Sequence, residues 1–512
     1  MVFQPYAELS RNNDHRLIGK THALRQRQRV ATYDERCFMD FQTQPVARAM
    51  RQARQLIMIL NPPLIIADEP TTALDVTVQQ QIVALLNDMR RERGTTVILI
   101  THDLGLLSSV ADQDMVMYAG NRMEYGNSKS LFAEPTHPYT AGLLNSSPAN
   151  YNPGEKLQPV PGRPPSLIHL PAGCAFRERC SYSMDRCSTT PPLQIYDDGT
   201  QSLCWLDAPL ETFLPQKASA AQAPSVAQNT RSQRDRLVEA RNVRLSYPVG
   251  GVFGQAGSLD ILKGIDLDLY KGETLGLVGE SGCGKSTFAR ILAGLIPATD
   301  GSILFEGKSL DQLSKREWRD MRKRVQLVFQ DPFGSLNPRR RISSIIGAPL
   351  RIQDVCAGRE LKKTVQELME KVGLNPEHYN RFPAEFSGGQ RQRIGIALAL
   401  ALNPELIIFD EPVSALDVSI QAQVLNLISD LQDEFELTYL FISHDLSVVR
   451  HVCDRIAVMN KGQITELAEA EAIYASPRDS YTKQLIDASF HEQPRGIARG
   501  RRVIESMSAG AG

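Results

Sequence analysis

Nine consecutive residues, GESGCGKST from Gly279 to Thr287, follow the spacing G-x-x-x-x-G-K-[ST], a pattern suited to binding phosphate. Gly279, Gly282 and Gly284 let successive backbone N–H groups curl around phosphate oxygens, and a helix starting just afterwards adds favourable partial charge. Lys285 is placed to reach the β and γ phosphates and Ser286 to ligate Mg2+; Glu280, Ser281, Cys283 and Thr287 complete the stretch. The plainer alternative is a glycine-rich turn before an ordinary helix, but it leaves the downstream carboxylates unexplained. There an apolar run, Leu406 to Phe409, ends in Asp410 and Glu411. Asp410 suits a water-mediated Mg2+ contact, and Glu411 can polarise a water for attack on a γ phosphate. Alone, such a pair is equally an ordinary strand end; behind a phosphate loop it is a strong sign of a site for nucleotide phosphates and Mg2+.

These groups need rigid elements to hold them. Glu273 to Val278 (ETLGLV) reads as a short strand feeding the loop, and TFARILAGLI as the helix that leaves it. Leu406–Phe409 and Tyr439–Ile442 are further apolar runs followed by helical periodicity, the pattern of buried parallel strands in an α/β domain.

The chain also repeats itself. LNPPLIIADEPTTALDVTVQQQI from Leu60 matches LNPELIIFDEPVSALDVSIQAQV from Leu402 at an offset of 342 residues, without a gap through His102 and His444 and on to Tyr139 and Tyr481. The expected organisation is a truncated domain over 1–145, a Pro- and Cys-rich extension over 146–208, a flexible linker over 209–236, a complete domain over 237–490 and a disordered tail over 491–512. Of 512 residues, 42% are hydrophobic and 22% charged, enough for packed cores. The net charge of −1 offers no overall attraction to nucleic acid. The longest apolar stretch, near Leu56 to Ala67, is broken by Asn61-Pro62-Pro63 and falls short of a bilayer span. The N-terminus lacks a basic region followed by an apolar run, so neither secretion nor membrane spanning is expected.

Phe386-Ser387-Gly388-Gly389-Gln390-Arg391-Gln392-Arg393 resembles the signature sequence of ABC-type ATPases. Val328–Asp331 resembles their Q-loop, Ser414–Asp417 their D-loop and His444 their switch histidine. The resemblance implies tandem P-loop NTPase domains with the first copy truncated, in which Gln330 touches Mg2+, His444 contacts the γ phosphate and the Ser387–Gln390 stretch closes over nucleotide from the facing domain. It also implies that Tyr247 stacks on adenine, although an ordinary surface or core tyrosine fits that position equally well. In GESGCGKST, LVFQDPFGSLNPRR and FSGGQRQRIGIALAL the chain is similar to the peptide-importer branch, which includes dipeptide, oligopeptide, glutathione and nickel systems. The stretch from Pro161 to Leu167 and the cysteines after it resemble that branch's C-terminal extension.

The first copy keeps Asp68-Glu69, Asp75 and His102 but has no phosphate loop. Its opening Met1-Val2-Phe3-Gln4 matches the Q-loop, and Pro45-Val46-Ala47-Arg48 stands where the signature should be. The spacing from Gln4 to Asp68 is 64 residues, against 80 from Gln330 to Asp410. Because the family builds each ATP site from one domain's loop and the other's signature, complete sites are expected to need two second copies from different chains, as in a homodimer, or an intact partner ATPase. The missing strand near the sheet centre should also expose core. A decayed or regulatory, non-catalytic subunit is the competing reading.

Cys174, Cys180, Cys187 and Cys204 could hold a [4Fe–4S] cluster or a tetrahedral Zn2+, or remain free thiols. The resemblance points to iron–sulfur. It further implies an ATPase energising peptide-class import at the cytoplasmic face of a bacterial inner membrane, with two transmembrane permease subunits as partners and a periplasmic solute-binding protein acting indirectly. A soluble ABC ATPase working on nucleic acid or ribosomes expects a basic or charged-helical linker; this one is neutral and Ala/Ser-rich, so no nucleic-acid partner is expected.

Overall fold

The computed structural model describes residues 30–33, 62–71, 74–206, 235–249, 257–489 and 503–507. Met1–Gln4, Pro45–Arg48 and nearly all of the linker lie outside the described residues. The chain divides into two compact units, one of residues 1–72 and 78–101, the other of 73–77 and 102–512.

In the first unit, strands β1 (Val30–Tyr33), β2 (Leu64–Asp68) and β3 (Thr96–Ile100) form a parallel sheet in that order. Helix α1 (Val76–Arg93) contributes its residues from Val78 onward and buries Ile82, Val83, Leu86 and Met89 at helical spacing. Arg90, Arg91 and Arg93 in its last turn complement the helix dipole, and Gly94 at φ +63° ends it.

In the second unit, helix α2 (Leu104–Val110) is capped by Asp103 and leads to a hairpin of β4 (Gln113–Tyr118) and β5 (Asn121–Asn127). Ala119 and Gly120, both at positive φ, supply the tight turn. After α3 (Ser128–Ala133) and α4 (Pro138–Asn145), the extension adds β6 (Leu193–Tyr196) and β7 (Gln201–Leu203) to that hairpin.

The larger part of this unit begins with β8 (Arg236–Val249) and β9 (Gly257–Tyr270). A buried strand β10 (Thr274–Val278) then runs into α5 (Lys285–Leu292). Strands β11 (Asp300–Phe305) and β12 (Lys308–Ser309) join β8 and β9 in an antiparallel sheet. Strands β13 (Val325–Val328), β14 (Leu406–Asp410), β15 (Thr438–Ile442), β16 (Arg455–Asn460) and β17 (Gln463–Glu469) make the central sheet. Its order is β13-β14-β15-β10-β16-β17, parallel except for β17 at one edge. Every residue of β10, β14 and β15 is buried, as their continuous apolar runs require. Helices α6 (Ile342–Ile352), α7 (Gly358–Lys371) and α8 (Gly388–Leu400) pack beside α9 (Val418–Phe435), and α10 (Leu446–Val452) and α11 (Ser480–Ala488) follow. The α/β class expected from the sequence is present. Within the tail expected to be disordered, Val503–Met507 forms β18, paired antiparallel with β6.

The 342-residue offset reappears element by element: β2, α1, β3, β4 and β5 correspond to β14, α9, β15, β16 and β17. In the downstream repeat β10 pairs with both β15 and β16. Among the described residues the upstream repeat has no counterpart of β10, and β3 and β4 end separate sheets as edge strands. Ile98 and Ile100 are 47% and 48% exposed, while their counterparts Leu440 and Ile442 are 0% exposed. Met115 and Met117 are likewise exposed, and Ala457 and Met459 buried.

The segment after α4 crosses the surface of the downstream repeat. Gly154 N–H donates to His451 O at 3.1 Å, and Leu157 exchanges two hydrogen bonds with Asn426. The Val160 carbonyl accepts from Gln423 Nε2 at 3.2 Å and from Arg179 Nη2 at 3.4 Å. Arg179, buried beside Tyr118 and Phe176, also donates to Pro161 O and Tyr118 Oη.

Candidate functional site

Strand β10 delivers the loop Gly279–Gly284 to the N-terminus of α5. Gly279 has φ +151°, and a Cβ there would lie 2.1 Å from Met459 O; Gly284 has φ +114° at the helix N-cap. Only glycine fits either place, which gives the loop spacing its steric reason. Lys285 is buried, its Nζ donating to Gly279 O at 2.7 Å and Glu280 O at 3.0 Å, so the ammonium is held inside the curl. Cys283 packs under the loop, where burial pushes its thiol pKa up.

Ser286 Oγ donates to Asp410 Oδ1 at 2.9 Å, joining the loop to the end of β14. Burial raises the Asp410 pKa, and the adjacent Glu411 charge adds to this against the Ser286 hydrogen bond. Glu411 turns away at φ +49°, its N–H donating to Ile442 O of the neighbouring strand. Its carboxylate accepts from Gln330 Nε2 at 2.7 Å and lies 3.3 Å from His444 Nδ1. Burial works against charge on both partners of that pair. The mutual hydrogen bond and attraction outweigh it, holding His444 above its usual pKa and Glu411 below its own. Lys285, Ser286, Gln330, Asp410, Glu411 and His444 therefore form one cluster, with a carboxylate poised to accept a proton and a hydroxyl beside an acid suited to a divalent cation.

The remaining expected residues stand apart from this cluster. Ser387 caps α8 in a reciprocal box with Gln390, and a Cβ on Gly389 would lie 2.2 Å from Ile420 Cγ2. The described contacts thus tie the Ser387–Gln390 turn to α9. Tyr247 lies on β8 opposite Leu259 and is 48% exposed. In the upstream repeat, Glu69 copies Glu411: it has φ +44°, and its N–H donates to Ile100 O.

Two residues outside the expected nucleotide-binding set touch the phosphate loop. Tyr481 Oη accepts the Glu280 N–H at 3.0 Å, and Asp75 Oδ2 accepts the Ser281 N–H at 3.3 Å. The signal available for them was the repeat itself, in which Asp75 and Asp417, and Tyr139 and Tyr481, share the 342-residue offset.

Cys174, Cys180, Cys187 and Cys204 line one pocket with His137 and Trp205, and all four are free thiols. Burial raises the thiol pKa of Cys180 to about 11 and of Cys204 to about 12. Among the described residues, however, no three ligands are disposed to hold a metal ion.

The ABC transporter family profile matches residues 262–414, and that of the oligopeptide/dipeptide transporter C-terminal region matches 123–187. The oligopeptide transport ATP-binding protein OppD of Mycobacterium tuberculosis is 43% identical over 448 residues, 86% of this chain and 72% of its own. The glutathione import ATP-binding protein GsiA of Pectobacterium atrosepticum is 39% identical over 477 residues, 92% of this chain and 69% of its own. Among solved structures, the dimeric bacterial ABC transporter cassette MJ0796 aligns with 46% of this chain and 98% of its own, at 28% identity and a TM-score of 0.42.

Proposed function

The chain belongs to the ATP-binding proteins of ABC transporters, and on that premise we propose that it is the ATP-hydrolysing subunit of an importer for peptide-class solutes. The observation that carries the reading is the convergence of Gln330 and His444 on the Glu411 carboxylate, beside the Ser286–Asp410 bond. In this reading Lys285 and the loop amides bind the β and γ phosphates, and Ser286, Gln330 and Asp410 serve Mg2+. Glu411 takes the proton of the attacking water while His444 holds that carboxylate in place and faces the γ phosphate. Tyr247 stacks on adenine, and Ser387–Gln390 closes over a nucleotide held by a facing domain.

Among the described residues no helix is long and apolar enough to cross a membrane. Two permease subunits then supply the spanning helices, the ATPase sits peripherally at the cytoplasmic face of the inner membrane, and a solute-binding protein acts from the far side. The repeat supports a tandem arrangement with a truncated first copy. The Asp75–Ser281 contact supports a D-loop supplied to the intact phosphate loop by the same chain, in contrast to the expectation of completion by another chain. The four thiols keep the [4Fe–4S] proposal testable: a coloured anaerobic preparation bleached by Cys180→Ser supports it, and an iron-free one removes it.

The test of function is ATP turnover by the purified chain with Mg2+. Glu411→Gln is expected to bind ATP while hydrolysing it about 10²- to 10⁴-fold more slowly. Hydrolysis at the wild-type rate by that variant defeats the assignment.

A further inference from the structure

Two consecutive amides of the phosphate loop, those of Glu280 and Ser281, are each held by a side chain from a distant part of the chain. The Ser281 amide goes to Asp75, a buried carboxylate of the upstream repeat. The Glu280 amide goes to the phenol oxygen of Tyr481, in the first turn of α11.

Tyr481 is itself fixed by a built frame. Asp479 caps α11 by accepting the N–H groups of Tyr481 and Thr482, and the buried Glu466 carboxylate of β17 accepts those of Arg478 and Asp479. The upstream repeat preserves the same frame, with Glu124 accepting the N–H groups of Thr136 and His137 ahead of Tyr139. Burial keeps the Tyr481 phenol protonated, with the charges of Glu280 and Asp75 pushing in the same direction. A neutral phenol offers its oxygen to the Glu280 amide and retains a proton for another acceptor. The loop needs this support because Gly279, Gly282 and Gly284 are all at positive φ and nothing in their own chemistry selects one conformation.

We infer that Tyr481 is a positioning residue of the ATP site, holding the Glu280 amide so that the loop's later N–H groups stay aimed at phosphate, and that it acts jointly with Asp75 on the neighbouring amide. The inference rests on the ATP-site reading above. Tyr481 touches no reacting atom, so its loss acts on how well the loop is preformed for MgATP and leaves the chemistry at Glu411 in place.

The test uses the full chain. Tyr481→Phe keeps the ring and removes the acceptor; it is expected to raise KM for MgATP about tenfold with kcat changed less than twofold, and to weaken ATP binding by the same factor in a Glu411→Gln background. Asp75→Asn is expected to be non-additive with it, because both act on one loop. Tyr139→Phe, in the equivalent frame without a phosphate loop beside it, is expected to leave KM unchanged, which separates positioning from a general loss of folding. Wild-type protein that hydrolyses ATP while Tyr481→Phe keeps its KM and affinity overturns this inference alone. Absence of turnover in the wild type defeats the ATPase reading instead.

Discussion

Asn426 holds the backbone of Leu157 from both sides: its Oδ1 accepts the Leu157 N–H at 3.0 Å and its Nδ2 donates to the Leu157 carbonyl at 2.9 Å. One side chain thereby imitates a strand neighbour, fastening a buried point of the extension to the helix that follows the D-loop. Asn426→Ala removes both bonds and leaves two backbone groups unpaired. A loss of about 1–3 kcal/mol is expected, with faster proteolysis and hydrogen exchange over residues 154–163. Unchanged exchange in that segment contradicts the role assigned to this pair.

The His444–Glu411 pair sets a pH window. A base whose folded pKa is raised stabilises fully below its unfolded value, here 6.5, and loses that contribution as pH rises through the folded value. An acid whose folded pKa is lowered stabilises fully above its unfolded value, here 4.5, and loses it as pH falls through the folded value. Denaturant titrations of wild type and His444→Gln are therefore expected to differ most between these two limits and to converge on either side. A difference that stays constant with pH rejects the pairing.

Asp103 and Asp445 are counterparts in the repeat and cap equivalent helices, yet they lie close enough to interact. Burial raises the Asp103 pKa above 3.8, and the Asp445 charge adds to it against the Leu106 amide. A raised acid favours folding below its unfolded pKa, and that advantage disappears as pH rises through the folded value. Asp103→Asn retains a capping oxygen and removes the like charge, so a higher thermal midpoint at neutral pH and a shallower pH dependence are expected. A lower midpoint at neutral pH shows that the charge serves the cap more than it strains the pair.

Gly389→Ala brings a Cβ within 2.2 Å of Ile420 Cγ2. Overpacking of about 1–3 kcal/mol is expected, together with reduced ATPase activity, and Ile420→Ala should restore much of both by making room. If the double variant is no better than the single one, crowding is not what requires glycine there.

The exposed edge gives a contrast between counterparts. Ile98→Lys, at a position 47% exposed on β3, is expected to leave stability nearly unchanged and to reduce aggregation, as charged residues protect open edges. Leu440→Lys, at a fully buried position, is expected to prevent folding. Equal effects in expression and melting assays contradict the difference in burial.

Much of the site was legible because its signals are local: a glycine-rich loop between strand and helix, and two carboxylates closing an apolar run. The repeat led to the expectation that the upstream copy lacks a strand; among the described residues no counterpart of β10 stands there, and Ile98 and Met115 are exposed. Tyr481 and Asp75 stand out in the repeat, but their contact with the loop was not legible, because they reach it across 201 and 206 residues and no short pattern encodes such a meeting. The crowding of Gly389 by Ile420 was not legible either, because it depends on the packing of another helix. Val503–Met507 sits in an Arg/Gly-rich tail whose composition hides a strand that only pairing with β6 defines.

The Val160 carbonyl has two lone pairs and gives one to Gln423 and the other to Arg179. Mechanically it works as a rivet between the helix after the D-loop and the residue preceding Cys180. Any displacement of that helix relative to Arg179 must therefore strain or break one of these two bonds.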